Sequence, residues 1–182
     1  MKHLVIGLFM LLSLSAFSQQ NVKVKKGKQA MNFSLDLISG KQVELNKLNS
    51  KSNIVLVVLR GWPEYQCPAC SQQVGQYLAE EEQFEKLNAK VLFVYPGPSK
   101  VLKEKAQEFA EDFTFPKNFY FALDPNYSMV NKYGLRWDAP KETAYPSAFV
   151  INKKGKIVYS KISSSHSGRA KVSELIETLE EL

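Results

Sequence analysis

Cysteine and histidine are scarce in this chain of 182 residues, which contains two of each. A chain of this length can bury a core without disulfide staples, and two cysteines could not supply a staple network. A closed zinc site needs four ligands. Beyond the first 18 residues, the sequence offers only His166 in addition to the two cysteines as a histidine or cysteine ligand. These absences argue against a disulfide-stapled scaffold and a zinc centre, and we expect no bound metal.

Apolar runs long enough for a membrane-spanning helix are also missing. The run Leu4–Leu14 follows Lys2 and His3, and the small residues of Ala16-Phe17-Ser18 come after it. This order is typical of a secretory signal peptide, and the absence of a following cysteine excludes a bacterial-type lipid anchor. We predict a signal peptide at 1–18, with an uncleaved anchor as the alternative. The mature protein should then be exported, periplasmic or secreted, without stable membrane insertion.

The positive charge lacks any accompanying nucleic-acid motif. The net charge is +6, and the lysines are scattered apart from a small cluster between Lys23 and Lys28. A solvated tail explains that cluster better than a nucleic-acid surface, so we predict a flexible lead-in at 19–28 and no nucleic-acid partner. The composition is that of an ordinary globular protein, and we predict one domain at 29–182 without internal repeats.

Both cysteines lie in the stretch Arg60–Cys70, spaced C-x-x-C, directly after the apolar run Ile54–Leu59. A short continuous run of β-branched and leucine residues predicts a buried central strand. The apolar residues that follow have the spacing of an amphipathic helix: Val74, Tyr77, Leu78, Phe84 and Leu87. Two thiols therefore lie where a strand gives way to a helix, whose N-terminus stabilises a thiolate. The pattern predicts redox chemistry at a dithiol.

Strands and helices alternate along the rest of the chain. The predicted strands are Phe33–Leu37, Gln42–Leu45, Ile54–Leu59, Lys90–Tyr95, Phe119–Leu123, Ser147–Ile151 and Ile157–Lys161. Helices are predicted from the dithiol to Asn88, from a Ser99 cap to Phe113, from Asp124-Pro125 to Tyr133-Gly134, and over Val172–Leu182. This order predicts an α/β fold with a central mixed sheet flanked by helices, preceded by an N-terminal β-hairpin.

The order of elements resembles the thioredoxin fold, and two motifs carry the resemblance. Cys67-Pro68-Ala69-Cys70 resembles a thioredoxin-like active site, and Ala144-Tyr145-Pro146 stands just before a later strand. In that superfamily a cis proline at this place packs against the dithiol, and the resemblance implies that role for Pro146.

The wider frame is similar to the redoxins of the alkyl hydroperoxide reductase and thiol-specific antioxidant family, the peroxiredoxin-like branch. The matching features are Phe33-x-Leu35 with Gly40, Asp124 to Tyr133-Gly134, and Phe149-Val-Ile-Asn-x-x-Gly155-x-Ile157. Peroxiredoxin active sites read P-x-x-x-T-x-x-C. Here Cys67 takes the place of the threonine, Cys70 falls at the peroxidatic position, and Pro146 takes the place of the distant arginine. Three other arginines could approach the site in space: Arg60, Arg136 and Arg169.

These features leave three functions open. In a thiol-disulfide oxidoreductase, which we favour, Cys67 attacks a substrate disulfide and Cys70 resolves the mixed disulfide. In a thiol-dependent peroxidase the roles reverse, with Cys70 peroxidatic and Cys67 resolving. In a non-enzymatic binding module the pair is a structural disulfide, although its small loop gives little entropic benefit. The dithiol itself is the redox group, so we expect no cofactor. Its partners would be a protein thiol or disulfide, or a peroxide, and a separate reductant protein.

Five residues around the dithiol are candidates for supporting roles. Arg60 could place positive charge near the thiolates, and Glu64, three residues before Cys67, could transfer protons during exchange. Trp62 and Tyr65 could shape the rim of the site, and Tyr145, beside Pro146, is a further candidate. Solvation or ordinary packing is the alternative for each. His166 and Arg169, in the loop before the last helix, are the most distant residues that could approach the site.

Overall fold

The computed structural model describes residues 22–182, so the signal peptide predicted at 1–18 lies outside the described residues. It contains one seven-stranded sheet. The strands are β1 (Ser34–Leu37), β2 (Gln42–Glu44), β3 (Asn53–Val58), β4 (Ala89–Gly97), β5 (Phe119–Pro125), β6 (Ser147–Ile151) and β7 (Ile157–Ile162). Their order is β2-β1-β5-β4-β3-β6-β7. The strands β3, β4 and β5 are parallel, and the others are antiparallel to their neighbours. The predicted mixed sheet and N-terminal hairpin are therefore confirmed.

Within the described residues, six helices cover the two faces of this sheet. They are α1 (Leu45–Asn49), α2 (Pro68–Leu78), α3 (Glu81–Lys86), α4 (Ser99–Ala110), α5 (Ser128–Tyr133) and α6 (Val172–Glu180). The short α1, which follows β2 directly, was not predicted from the sequence. Among the described residues, no helix has both the length and the apolar character needed to cross a bilayer.

The core lies on both faces of β3, whose six residues are all buried. Side chains alternate along a strand, so Val55 and Val57 face the helices α2, α3, α4 and α6, while Ile54 and Leu56 face α1 and α5. The cysteines belong to the part of the core that lies between β3 and the helices α2, α3, α4 and α6. A strand buried on both faces explains the continuous apolar run seen in the sequence.

The single helix predicted from the dithiol to Asn88 is wrong, because two helices occupy this stretch. The first ends at Leu78, where the amide of Glu80 bonds the Tyr77 carbonyl three residues back. The chain then turns and starts α3, which brings the Phe84 ring into a stacked contact with Tyr77, with ring centroids 6.0 Å apart. Burial of Phe84 against the same core therefore outweighs continuation of a straight helix.

Two predicted helix starts are also corrected. Ser99 is the first residue of α4, and Pro98 holds the N-cap position that we predicted for Ser99. Asp124 and Pro125 belong to β5, and α5 begins only at Ser128. Asp124 nevertheless caps α5 from a distance: its carboxylate accepts hydrogen bonds from the amides of Met129 (2.8 Å) and Val130 (3.0 Å). The predicted end at Gly134 is confirmed by its left-handed φ of +71°.

The segment predicted as a flexible lead-in is packed against the domain over its described part, 22–28. Val24 is only 1% exposed and belongs to the core on the α5 face. The amide of Lys23 bonds the Tyr133 carbonyl (3.1 Å), and that of Gly27 bonds the Ile157 carbonyl (2.7 Å). The lysines that surround Val24 in the sequence obscured the burial of this single residue.

Gly61 controls how the chain leaves β3 toward the cysteines. Its φ is +69°, a left-handed value that favours glycine. A Cβ atom at this position would lie 1.9 Å from the carbonyl oxygen of Pro96, in β4. Directly afterwards, the Trp62 amide donates to the same oxygen (3.0 Å). Only glycine therefore permits the close crossing that starts the loop to the dithiol.

We expect the substitution Gly61→Ala to lower the free energy of unfolding by about 4 kcal/mol or more, since it combines positive φ with backbone overlap. Gly40→Ala is the matched control, because Gly40 shares the positive φ (+83°) but has no neighbour within 4 Å of its Cβ position. The control should lose about 1 kcal/mol. Urea unfolding measures both, and equal losses would contradict the role given to the close crossing.

Candidate active site

The two cysteines lie at the junction between the central strand and α2. Cys67 is the N-cap residue of α2, Pro68 is its first residue, and Cys70 lies in the first turn. The Cys67 carbonyl accepts hydrogen bonds from the amides of Cys70 (2.9 Å) and Ser71 (3.2 Å). Both thiols are free and buried, with 3% of Cys67 and none of Cys70 exposed. This is the strand-to-helix placement that the sequence predicts.

The two sulfur atoms differ in their environments. The Cys70 thiol donates a hydrogen bond to the Cys67 sulfur, and this bond outweighs burial and lowers the pKa of Cys67 to about 5. The Cys70 amide and the charges of Arg169 and Arg60 lower the same pKa further. Burial raises the pKa of Cys70, and the hydrogen bond with the Cys67 side chain raises the pKa of Cys70 further. At neutral pH the site therefore holds a thiolate on Cys67 and a protonated thiol on Cys70.

Arg169 is the arginine that reaches the dithiol. Its Nη2 atom lies 3.5 Å from the Cys70 sulfur and 3.8 Å from the Cys67 sulfur. Its Nη1 atom donates to the buried side chain of Gln73, in α2, and its Nε atom donates to the His166 carbonyl (3.1 Å). The sequence named Arg169 as one of three arginines that could approach, and it could not choose among them.

Arg60 lies near the dithiol but binds other groups. Its side chain is buried, and its Nε donates to the Glu142 carboxylate at 2.6 Å. The remaining nitrogens donate to the Tyr65 hydroxyl and the Lys141 carbonyl. Burial opposes the charge of Arg60, but the bonds to Glu142 and Tyr65 outweigh it and raise the pKa of the guanidinium. Arg60 is therefore a fixed cation whose field reaches Cys67.

Glu142 is a site residue that the sequence analysis missed. One carboxylate oxygen binds Arg60, and the other lies 2.8 Å from Nε2 of His166. It thereby joins three segments that are far apart in sequence, since Arg60 and Glu142 are 82 positions apart. No local motif marks such a residue, since a glutamate in a polar loop has the sequence pattern of a solvated one.

The other predicted supporting residues are spread around the loop. Trp62 is half-buried, and the Lys105 ammonium lies over its ring at 5.3 Å from the centroid. Tyr145 stacks on Trp137 with ring centroids 4.8 Å apart. Glu64 is exposed, has a φ of +81°, and makes no hydrogen bond to either thiol among the described residues. Arg136 does not reach the dithiol, since it donates to backbone carbonyls of its own loop, including that of Thr143.

Pro146 lies across from the start of the dithiol loop. Ser147 pairs with Val58, so the antiparallel register places Pro146 opposite Leu59. Pro146 is buried, and its carbonyl accepts a hydrogen bond from the Ser163 amide (2.9 Å). The described residues contain no cis peptide bond, so the bond before Pro146 is trans. The cis isomer found at this place in the superfamily that the sequence resembles is therefore not present here.

A groove of about 470 Å³ opens beside the dithiol between α2 and the loop before α6. Its lining includes Ala69, from the C-x-x-C motif, together with Gln72, Gln76 and Arg169. Within 22–182, no group of three or more histidine, cysteine or acidic side chains is arranged to hold a metal ion.

Comparisons with known proteins point to one family. The model of the AhpC/TSA family matches residues 26–160, which include the dithiol and Pro146 but end before Arg169. The thiol-disulfide oxidoreductase ResA of Halalkalibacterium halodurans is 24% identical over 144 residues, which cover 79% of this chain and 72% of ResA. The chloroplastic peroxiredoxin Q of Triticum aestivum is 28% identical over 137 residues, 75% of this chain and 58% of that protein.

Solved structures with the same fold include proteins named as peroxiredoxins and proteins named as thiol-disulfide exchange proteins. Peroxidoxin BcpB from Mycobacterium tuberculosis superposes with a TM-score of 0.72 at 21% identity, over 87% of this chain and 97% of BcpB. A putative thiol:disulfide interchange protein DsbE from Chlorobium tepidum superposes with a TM-score of 0.63 at 20% identity, over 86% and 99%. The predicted thioredoxin fold, in its peroxiredoxin-like form, is thereby confirmed.

The asymmetry of the thiols predicts that Cys67 alkylates with a pH midpoint of about 5. Iodoacetamide labelling between pH 4 and 9, followed by peptide mass spectrometry, measures this midpoint. Cys70→Ala should raise it, because the strongest stabilising hydrogen bond is lost. Cys70→Ser is the matched control, since a hydroxyl keeps a donor at the same place and should raise it less. A midpoint that neither variant moves would contradict the asymmetry.

Proposed function

The chain is an oxidoreductase of the AhpC/TSA family, and we propose that it exchanges its Cys67–Cys70 dithiol with the disulfide bonds of other proteins. The observation that carries the proposal is the difference in pKa and environment between the two thiols. Cys67 stands at the N-terminus of α2 with a lowered pKa, while Cys70 keeps its proton in the core. Such a pair has one nucleophile and one thiol held in reserve.

The exchange takes place in two displacement steps. The Cys67 thiolate attacks one sulfur of the substrate disulfide, forms a mixed disulfide, and releases the other sulfur as a thiolate that takes up a proton. Cys70 then loses its proton and attacks the Cys67 sulfur. The Cys67–Cys70 disulfide forms, and the second substrate sulfur leaves and is protonated. The substrate gains two electrons and two protons: both electrons and one proton come from the dithiol, and the second proton comes from solvent.

The reverse sequence oxidises a substrate dithiol, and either direction needs a second partner to restore the starting state. We propose a separate thiol reductant protein for this step, and no bound cofactor. Repeated cycling is what separates this function from a binding module with a structural disulfide. The small loop closed by the pair would add little stability, which also favours a working dithiol over a staple.

Peroxide reduction is the second candidate, because Arg169 contacts the cysteine at the peroxidatic position. This function would require Cys70 to attack peroxide as a thiolate and Cys67 to resolve the resulting sulfenic acid. Cys70 is completely buried, and its pKa is raised rather than lowered. Cys67 is the thiolate, which favours disulfide exchange over peroxide reduction.

We assign the surrounding residues as follows. Pro146 fills the position opposite the loop entrance and keeps the site closed on the sheet side. Trp62, Tyr65 and Tyr145 form the rim that meets the substrate; Tyr65 is 40% exposed. Glu64 is exposed and stands three residues before Cys67 in the sequence, and we assign it proton transfer during the exchange. Arg60 supports the Cys67 thiolate through its charge.

We also propose that the protein works outside the cytoplasm, in the periplasm or as a secreted protein. The support is the predicted signal peptide at 1–18. A dithiol exported to an oxidising compartment meets disulfides there and requires a supply of electrons to stay reduced.

A trapping experiment tests disulfide exchange. Cys70→Ser should leave Cys67 able to attack but unable to be resolved, so mixed disulfides with substrate proteins accumulate. Non-reducing gels and mass spectrometry of the trapped partners measure this outcome. Cys67→Ser should trap at least about tenfold less, because the remaining thiol is buried and protonated.

The same two variants decide between the candidate functions when mixed rapidly with hydrogen peroxide. In disulfide exchange, reduced protein reacts with peroxide at about the rate of free cysteine. Fast oxidation that only the loss of Cys70 abolishes would instead establish a peroxidase and overturn the exchange function.

The predicted export gives a separate expectation. Mass spectrometry of the protein from cells that express the full chain should find a mature N-terminus at Gln19, in the periplasmic or extracellular fraction. Replacing Leu8 with Arg should disrupt the apolar run and retain the protein in the cytoplasm. A full-length, cytoplasmic protein in both cases would contradict export.

A further inference from the structure

We propose that Arg169 is a catalytic residue of the resolving step, in which its guanidinium stabilises the thiolate that Cys70 has to form. This inference rests on the disulfide exchange proposed above and adds a residue to its second step. It concerns a position outside the 26–160 match to the family model.

The resolving step poses an electrostatic problem. Cys70 is fully buried, so desolvation disfavours its anion. Once Cys67 is part of a mixed disulfide, it carries no charge and no longer needs the Cys70 proton. Cys70 must then release that proton to water or to the departing substrate sulfur, and must hold a negative charge inside the core until the new S–S bond forms. A cation in contact with its sulfur reduces this cost.

Arg169 is the group that meets this requirement. Among the charged groups around Cys70, the Arg169 Nη2 atom lies 3.5 Å from the sulfur, with its charge permanently present. The other groups that act on Cys70 are the Cys67 side chain and the Arg60 amide. The Arg60 guanidinium is committed to Glu142, Tyr65 and a backbone carbonyl. Within residues 22–182, Arg169 is thus the one cationic side chain at hydrogen-bond distance from the Cys70 sulfur.

The guanidinium is held in place by partners on both sides. Gln73, which is 3% exposed, accepts from Nη1, and the His166 carbonyl accepts from Nε. His166 in turn is bound by Glu142, which Arg60 fixes from the other side. Nε and Nη1 of Arg169 therefore have other partners, and Nη2 is left to contact the sulfur atoms of both cysteines. A lysine would bring the charge without this fork-shaped fit.

The size of the effect follows from two opposing trends. An opposite charge at contact distance moves a pKa by about one to three. A rise of two in the pKa of Cys70 would reduce its thiolate population about hundredfold at neutral pH. The more basic thiolate is more nucleophilic, with a coefficient of about 0.4–0.5, which recovers about tenfold. Loss of Arg169 should therefore slow the resolving step about tenfold. The rate of this step increases with pH, and without Arg169 that increase should occur at higher pH.

Stopped-flow reaction of the reduced protein with dithiobis-nitrobenzoate separates the two steps. Attack by Cys67 releases one coloured thiolate, and resolution by Cys70 releases the second. At pH 8, where Cys67 stays ionised, Arg169→Gln should slow the second release about tenfold while changing the first release much less. Arg169→Lys should recover part of the loss. Lys153→Gln is the matched control, since it removes one exposed positive charge beyond the far end of β6 and should change neither release.

Each outcome supports or overturns a specific claim. A second release at the wild-type rate in Arg169→Gln, or an equal slowing of both releases, would overturn the role of Arg169 while disulfide exchange stands. Disulfide exchange, and this inference with it, would be overturned by either of two results. The wild-type protein would release only one thiolate, or the Cys67→Ser variant would release thiolate as fast as the wild-type protein. Urea unfolding of Arg169→Gln and Arg169→Lys shows whether each variant is still folded when its second release is slow. If Arg169→Gln is unstable, Arg169→Lys tests the effect of the charge.

Discussion

The pairing of Cys67 and Cys70 in the first turn of α2 is the constraint on which the proposed chemistry of this protein depends. It gives the negative charge to the cysteine at the helix end and keeps the proton on the cysteine in the core. Both cysteines are buried, so exposure alone does not distinguish them. The difference arises because the Cys67 sulfur is stabilised by hydrogen bonds from Cys70 at the start of α2, while complete burial disfavours the anion of Cys70. In the disulfide exchange that we propose, this arrangement sets the order of events, in which attack by Cys67 precedes resolution by Cys70.

This arrangement requires a rigid support, and β3 provides it. A central strand that is buried on both faces cannot shift its register without exposing one core or the other. Its end is therefore a fixed point from which Gly61 turns the chain over β4. The loop that follows is short, so the position of Cys67 is set to a large extent by the sheet. The proline opposite, Pro146, belongs to the neighbouring strand connection and is fixed by the same register.

Charge around the dithiol comes from parts of the chain that are distant from it. Arg60 follows β3, Glu142 lies in the loop before β6, and His166 and Arg169 lie in the loop before α6. Ion pairs and hydrogen bonds join these segments so that two cations face a site that carries one negative charge. Burial of a charged pair is unfavourable unless every partner is satisfied. Here one Glu142 oxygen binds Arg60 and the other binds the His166 imidazole, which explains why a buried arginine is tolerated next to the dithiol.

The sequence alone predicted the mixed sheet, the order of its strands along the chain, the strand-to-helix position of Cys67 and Cys70, and the glycine end of α5. These features depend on local spacing and on the burial of continuous apolar runs, both of which can be read from neighbouring residues. The break between α2 and α3, the packing of Val24, and the distant cap by Asp124 depend on what the chain meets in space, and the local pattern gave a different prediction for each. The same reason separates the two parts of the active site. The dithiol is a local motif, but the choice of Arg169 over Arg60 and Arg136, and the place of Glu142 between two loops, were decided by tertiary contacts across about 80 to 100 residues of sequence.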